Sequence, residues 1–220
     1  MRTVIFDLDG TLADTSGDLI AAANACFRDL GLEDLLDPAQ DQATALRGGR
    51  AMLTLGFERA GGFDATEVDR QYPALLRHYG RAIDRHTTLY PGAMAAVEAL
   101  RAEGYRVGIC TNKPEALAEQ LLQSLGVRAA FGALVGADTL PVRKPDPEPL
   151  RETARRAGGD PARMLLVGDT ITDHSTARAA GVPSVLVTFG PSGGEMAALE
   201  PDALLHDYNS LGGVVRALIG

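Results

Sequence analysis

The sequence predicts an α/β fold in which a parallel sheet carries helices on both faces, with a small all-helical segment inserted after the first strand. Three observations lead there. Short apolar, β-branched runs alternate with helix-like stretches along most of the 220 residues, the pattern of repeated strand–helix–strand units. One long interval, between Leu12 and Tyr90, shows helical periodicity only. The 45% apolar content suffices for a substantial core, and no apolar run approaches the length that spans a membrane.

Taken in order, Thr3–Phe6 is the first interior strand, followed by two carboxylates, Asp7 and Asp9, and a turn at Gly10. In the helical interval Ser16 is placed to N-cap a helix with Leu19, Ala23, Phe27 and Leu30 on one stripe, ended by Gly31. A second helix is expected over 50–60 and a third over 65–84, where Pro73 should kink the helix or mark its start. Val68, Tyr72, Leu75, Leu76, Tyr79 and Ile83 form the apolar stripe of that third helix. Alternation then resumes, with strands over 105–110, Ala133–Val135, 164–167 and 184–188 and an edge run at Ala203–Leu205. Helices fall between them over 94–103, 115–125 and 172–180, the last stopped by Gly181 and Pro183. The expected organisation is therefore a Rossmann-like core from residues 1–13 and 89–220, with an inserted helical domain at 14–88.

Composition narrows the function. A net charge of −8 argues against nonspecific nucleic-acid binding, which needs clustered cations. The N-terminus runs straight into a strand, so neither a signal peptide nor a membrane partner is expected. Cys26 and Cys110 form no disulfide framework and show no metal-ligand spacing, which fits a cytoplasmic protein. Of 21 basic residues only Lys113 and Lys144 are lysines, and positions that resist such a bias can require a compact ammonium.

The chemistry-bearing residues collect at strand ends, where open α/β sheets bind ligands. Asp7 and Asp9 are close enough to repel unless a cation shares their field or one stays protonated. Both conditions suit metal-assisted phosphoryl transfer, with one carboxylate attacking and the other moving protons. At Gly10 the backbone can approach a bound oxyanion. Thr111 and Asn112 close the second main strand with a hydroxyl and backbone N–H groups able to hold phosphate oxygens. Asp169 and Asp173 stand one helical turn apart and face the same way, and hard oxygen donors at low count suit Mg²⁺. Asp169 is the expected direct ligand, with Asp173 orienting a bound water or Lys144.

Asp7-Leu8-Asp9-Gly10-Thr11-Leu12 resembles the first motif of the haloacid dehalogenase superfamily in its phosphatase form. Thr111-Asn112, Lys144 before Pro145, and Gly168-Asp169 with Asp173 match its second to fourth motifs in order. The resemblance implies Asp7 as nucleophile, Asp9 as general acid/base and a helical cap over the inserted segment. It further implies Mg²⁺ on the Asp7 carboxylate, the Asp9 carbonyl and Asp169, with Thr111, Asn112 and Lys144 on the phosphoryl oxygens. The stretches Asp14–Leu19, Thr111–Pro114 and Leu89–Gly92 look like the phosphoglycolate phosphatases of that superfamily, which implies hydrolysis of 2-phosphoglycolate to glycolate. Arg47 and Arg50 offer guanidinium groups that could recognise a carboxylate. A phosphatase of another small metabolite (a sugar phosphate, a nucleotide or pyrophosphate), a β-phosphoglucomutase-like mutase and a catalytically silent binder share this pattern, as a monomer or homodimer.

Overall fold

In the computed structural model, which describes residues 1–62 and 65–220, Thr3–Phe6 forms β1 and every residue of it is buried. After it come β2 (Ala13–Asp14), α1 (Ser16–Asp29), α2 (Gln42–Leu46), α3 (Gly49–Arg59), α4 (Ala65–Arg81) and β3 (Thr88–Leu89). The remainder alternates: α5 (Ala93–Ala102), β4 (Arg106–Cys110), α6 (Glu115–Ser124), β5 (Ala133–Val135), α7 (Glu148–Arg156), β6 (Met164–Gly168), α8 (Ile171–Ala180), β7 (Ser184–Val187), β8 (Ala203–Leu205) and α9 (Leu211–Ile219). The chain divides into two units, Met1–Ala13 with Leu89–Gly220, and Asp14–Thr88. Among the described residues no helix is long and apolar enough to cross a membrane.

In the first unit six parallel strands pair in the order β5-β4-β1-β6-β7-β8. β1 is central, with Phe6 in register beside Ile109 on one side and Val167 on the other. A strand buried on both faces must be apolar throughout, and the uninterrupted Val4, Ile5, Phe6 and Leu165, Leu166, Val167 runs meet that demand. Ile5, Cys110, Leu150, Ala154, Met164, Leu166, Ala177 and Val182 form one packed cluster, each large side chain contributing about 1.5–3 kcal/mol by leaving water. Both thiols are inert: burial pushes Cys26 up to about 11 and Cys110 up to about 12.

The second unit is a four-helix assembly in which α4 packs on both α1 and α3. Phe27 and Phe57 meet edge to face at 5.5 Å. Several sequence expectations are corrected here. Ser16 is the first helical residue, and Thr15 holds the N-cap position. The Ser16 N–H and hydroxyl instead donate to Asp14 Oδ1, an upstream carboxylate having taken over the capping role. Leu30 lies beyond the last helical turn and is exposed, so it leaves the buried stripe. α4 continues through Pro73, because Val68, Leu75 and Tyr79 are buried on both sides of it and outweigh one lost backbone bond. The interval also contains strand residues, since the two-residue segments β2 and β3 pair with each other.

Asp18 ties the beginning and end of this unit together. Its buried carboxylate accepts hydrogen bonds from the His86 N–H at 3.0 Å, the Thr87 N–H at 2.8 Å and the Thr87 hydroxyl at 2.8 Å. Asp18→Ala orphans three donors at once, and the expected result is a loss of about 2–3 kcal/mol in stability, read as a lower urea midpoint.

Candidate active site

The C-terminal edge of the sheet is built by the chain leaving β1. The Asp7 N–H still donates to the Val167 carbonyl at 2.9 Å, so this residue keeps the strand's direction and projects from its end. The backbone then coils tightly, with the Leu8 carbonyl accepting from Leu12 at 3.0 Å and Ala13 at 3.1 Å. Gly10 adopts φ +79°, a conformation that glycine reaches without a Cβ penalty. Its N–H donates to the Ala13 carbonyl at 2.9 Å. Gly10 thus shapes the turn, and its own amide is engaged within it.

Around Asp7 the structure gathers Lys144, Asp169 and Asp173. Lys144 Nζ lies 3.1 Å from Asp7 Oδ2 and 2.6 Å from Asp173 Oδ1, and the ammonium is almost wholly buried. Burial opposes its charge, yet Asp173 and Asp7 outweigh burial and hold its pKa above the ordinary lysine range. Asp173 Oδ2 accepts from the Thr170 hydroxyl at 2.6 Å and the Thr170 N–H at 3.2 Å, closing a capping box at the start of α8. Thr170 thereby sets the carboxylate that sets Lys144. Gly168 is required by the same packing, because a Cβ there would stand 2.3 Å from the Asp173 Cβ.

Asp7, Asp169 and Asp173 each offer an oxygen within 4.8 Å of the others. Burial is the largest influence on Asp7, raising its pKa to about 6 against the pull of Lys144. Asp169 is raised well above the usual carboxylate range, first by burial and then by Asp173 and Asp7. The Thr11 hydroxyl donates to Asp169 Oδ1 at 2.9 Å, and the buried Tyr208 hydroxyl donates to the Thr11 carbonyl at 2.7 Å. Three acids against one ammonium, all oxygen donors, fit a hard divalent cation. Both Asp173 oxygens are engaged by Lys144 and Thr170, so Asp7 and Asp169 are the candidates for direct ligation.

Asp9 stands apart from this group, and its carboxylate is 2.7 Å from Lys113 Nζ. Thr111 is buried and its hydroxyl accepts from the Lys113 N–H at 3.2 Å. Asn112 Nδ2 donates to the Lys144 carbonyl at 3.0 Å, a contact that positions the lysine loop. Arg47 and Arg50 lie in the helical unit, both exposed. Arg50 pairs with Asp69 and stacks over the Tyr72 ring at 4.5 Å. The sequence points to no role for Thr170 or Tyr208 and to no partner for Lys113. Lysine rarity flagged Lys113, but nothing local connects it to a residue 104 positions away.

The model for haloacid dehalogenase-like hydrolases matches residues 1–181. The phosphoglycolate phosphatase of Mesorhizobium japonicum is 40% identical over 94% of this chain and 92% of its own length. That of Cereibacter sphaeroides is 36% identical over the full length of both. The crystal structure of a predicted phosphoglycolate phosphatase from Haemophilus somnus superposes with a TM-score of 0.84 at 25% identity, covering 97% of each chain.

Two predictions come from the acid cluster. Asp7 must lose its proton to hold a cation, so the apparent Mg²⁺ dissociation constant should rise as pH falls through about 6; calorimetric titration across pH 5–8 checks this. Asp169→Asn keeps an acceptor for Thr11 but removes a buried charge. It should therefore stabilise the metal-free protein by about 1 kcal/mol, while the rise in melting temperature on adding Mg²⁺ largely disappears.

Proposed function

The chain belongs to the haloacid dehalogenase-like hydrolases, and on that premise we propose that it is a Mg²⁺-dependent phosphatase converting 2-phosphoglycolate to glycolate through an aspartyl-phosphate. The observation that carries this reading is the Lys144 ammonium fixed between Asp7 and Asp173. It sets a permanent cation beside the attacking oxygen, where the phosphoryl charge must be received. The relatives named as phosphoglycolate phosphatases support the substrate.

In the first half-reaction an Asp7 oxygen bonds to phosphorus as the ester P–O bond breaks, and Asp9 gives its proton to the departing oxygen. In the second, Asp9 takes a proton from water, the water oxygen bonds to phosphorus, and the Asp7–phosphorus bond breaks to release phosphate. A Mg²⁺ held by the Asp7 and Asp169 carboxylates and the Asp9 carbonyl would supply charge neutralisation to the phosphoryl oxygens. The Thr111 hydroxyl accepts from Lys113, which leaves its own O–H to donate to a phosphoryl oxygen. Asn112 holds the Lys144 loop and reaches the phosphoryl group beside it. The inserted unit, residues 14–88, is the candidate for substrate selection, and of its two exposed arginines Arg50 is already engaged by Asp69 and Tyr72.

Phosphate release from a panel of 2-phosphoglycolate, hexose phosphates, nucleotides and pyrophosphate, with and without Mg²⁺, tests the proposal. Mg²⁺-dependent release concentrated on 2-phosphoglycolate is expected; release spread over the panel would keep the chemistry and remove the substrate. Asp7→Asn should lower turnover by about a thousandfold or more, and retained activity would remove the aspartyl-phosphate.

A further inference from the structure

We infer that Lys113 recognises the carboxylate of the substrate and thereby sets the preference for an anionic leaving group. The inference rests on the reaction proposed above, in which Asp9 touches the ester oxygen.

Lys113 and Lys144 are the only buried cations among the described residues. Lys113 is fixed at its backbone, where its N–H donates to Thr111 Oγ1 at 3.2 Å and its carbonyl accepts from the Ala137 N–H at 2.9 Å. Its side chain ends 2.7 Å from Asp9 Oδ1. To protonate the leaving group Asp9 must come within about 2.8 Å of the ester oxygen. In a phosphoglycolate the carboxylate carbon is two bonds from that same oxygen. The ammonium and the substrate carboxylate are thus neighbours of one Asp9 carboxyl group.

Charge makes the pairing necessary. Asp7, Asp169 and Asp173 already crowd this edge, and a substrate bringing a carboxylate as well as a phosphoryl group meets repulsion unless a cation stands at the second anion. Lys144 is engaged with Asp7 and Asp173, at the phosphoryl end. Lys113 is the buried cation at the leaving-group end. An ammonium carries three N–H donors, so donating to Asp9 is compatible with donating to a substrate oxygen. An ester with a methyl group in place of the carboxylate gains nothing from this charge.

The test compares 2-phosphoglycolate with ethyl phosphate, which has that methyl group, using Mg²⁺-loaded wild type, Lys113→Met and Lys113→Gln. Removing a charged donor from an anion costs about 10–100-fold. Both esters should suffer in each variant through the altered Asp9 contact, with 2-phosphoglycolate losing about thirtyfold more in kcat/KM, mainly through KM. Lys113→Gln keeps an N–H for Asp9 without the charge, and should show the same skew if Lys113→Met folds poorly. Equal losses on the two esters, carried by kcat, would overturn the inference and leave Lys113 as a holder of Asp9. A wild-type enzyme with no preference for 2-phosphoglycolate over ethyl phosphate would remove the proposed substrate, and this inference with it.

Discussion

The site depends on one ammonium. Lys144 lies between two buried carboxylates at 3.1 and 2.6 Å, and without it Asp7, Asp169 and Asp173 would present three like charges with little water to separate them. Removing one partner from a buried charge set leaves the others uncompensated, at a cost of about 3–5 kcal/mol. The surrounding structure works to keep that ammonium in place. Asn112 holds the Lys144 carbonyl, Thr170 clamps Asp173, and Gly168 yields the space into which Asp173 packs. Burial first, and then the neighbouring acids, raise the proton affinities of Asp7 and Asp169 despite Lys144, a cost that a bound divalent cation would relieve.

Topology explains why the cluster forms here. The chain runs from β1 to β4 and β5 on one side of the sheet, then crosses to β6, β7 and β8 on the other. Such a reversal opens a crevice at the carboxyl ends of the central strands. Asp7 leaves β1 and Asp169 leaves β6, two strands in direct register. Two acids 162 residues apart in sequence therefore become neighbours through strand pairing alone, and the local turns only aim them.

Much of this was legible in the sequence, for physical reasons that differ by element. The runs at Thr3–Phe6, Ala133–Val135 and Ala203–Leu205 are strands with those bounds, each a short, uncharged run bounded by polar or turn residues. Asp7, Thr111 and Asp169 were legible because each directly follows a strand, and Lys144 because a rare lysine stands in the loop before a helix. Besides α7 and α9, which the sequence reading does not delimit, what escaped was too short or too distant. β2 and β3 have two residues each, below any periodicity, and α2 has five. Tyr208 reaches Thr11 across 197 positions, and Lys113 reaches Asp9 across 104; no local pattern encodes such pairs. A serine before an apolar stripe is the usual cap signal, but at Ser16 the carboxylate two residues earlier takes the role.

The two lysines also explain a compositional oddity. A chain that places arginine at 19 of its 21 basic positions retains lysine only where the cation is buried among carboxylates. A guanidinium is larger and planar, and presents its donors as a rigid fork. Lys144 instead bridges the carboxylate that leaves β1 and one on α8, at 3.1 and 2.6 Å, a task for a compact head with donors in three directions. The exposed arginines show the opposite use, with Arg155 serving both Glu148 and Glu152 on the surface of α7, where length and flexibility carry no desolvation penalty. At the sheet edge a larger head would have to displace Asp173 from its contact with Thr170 or Asp7 from the end of β1, and either shift moves the group that must attack. The scarcity of lysine thus follows the boundary between charge that solvates a surface and charge that must fit inside it.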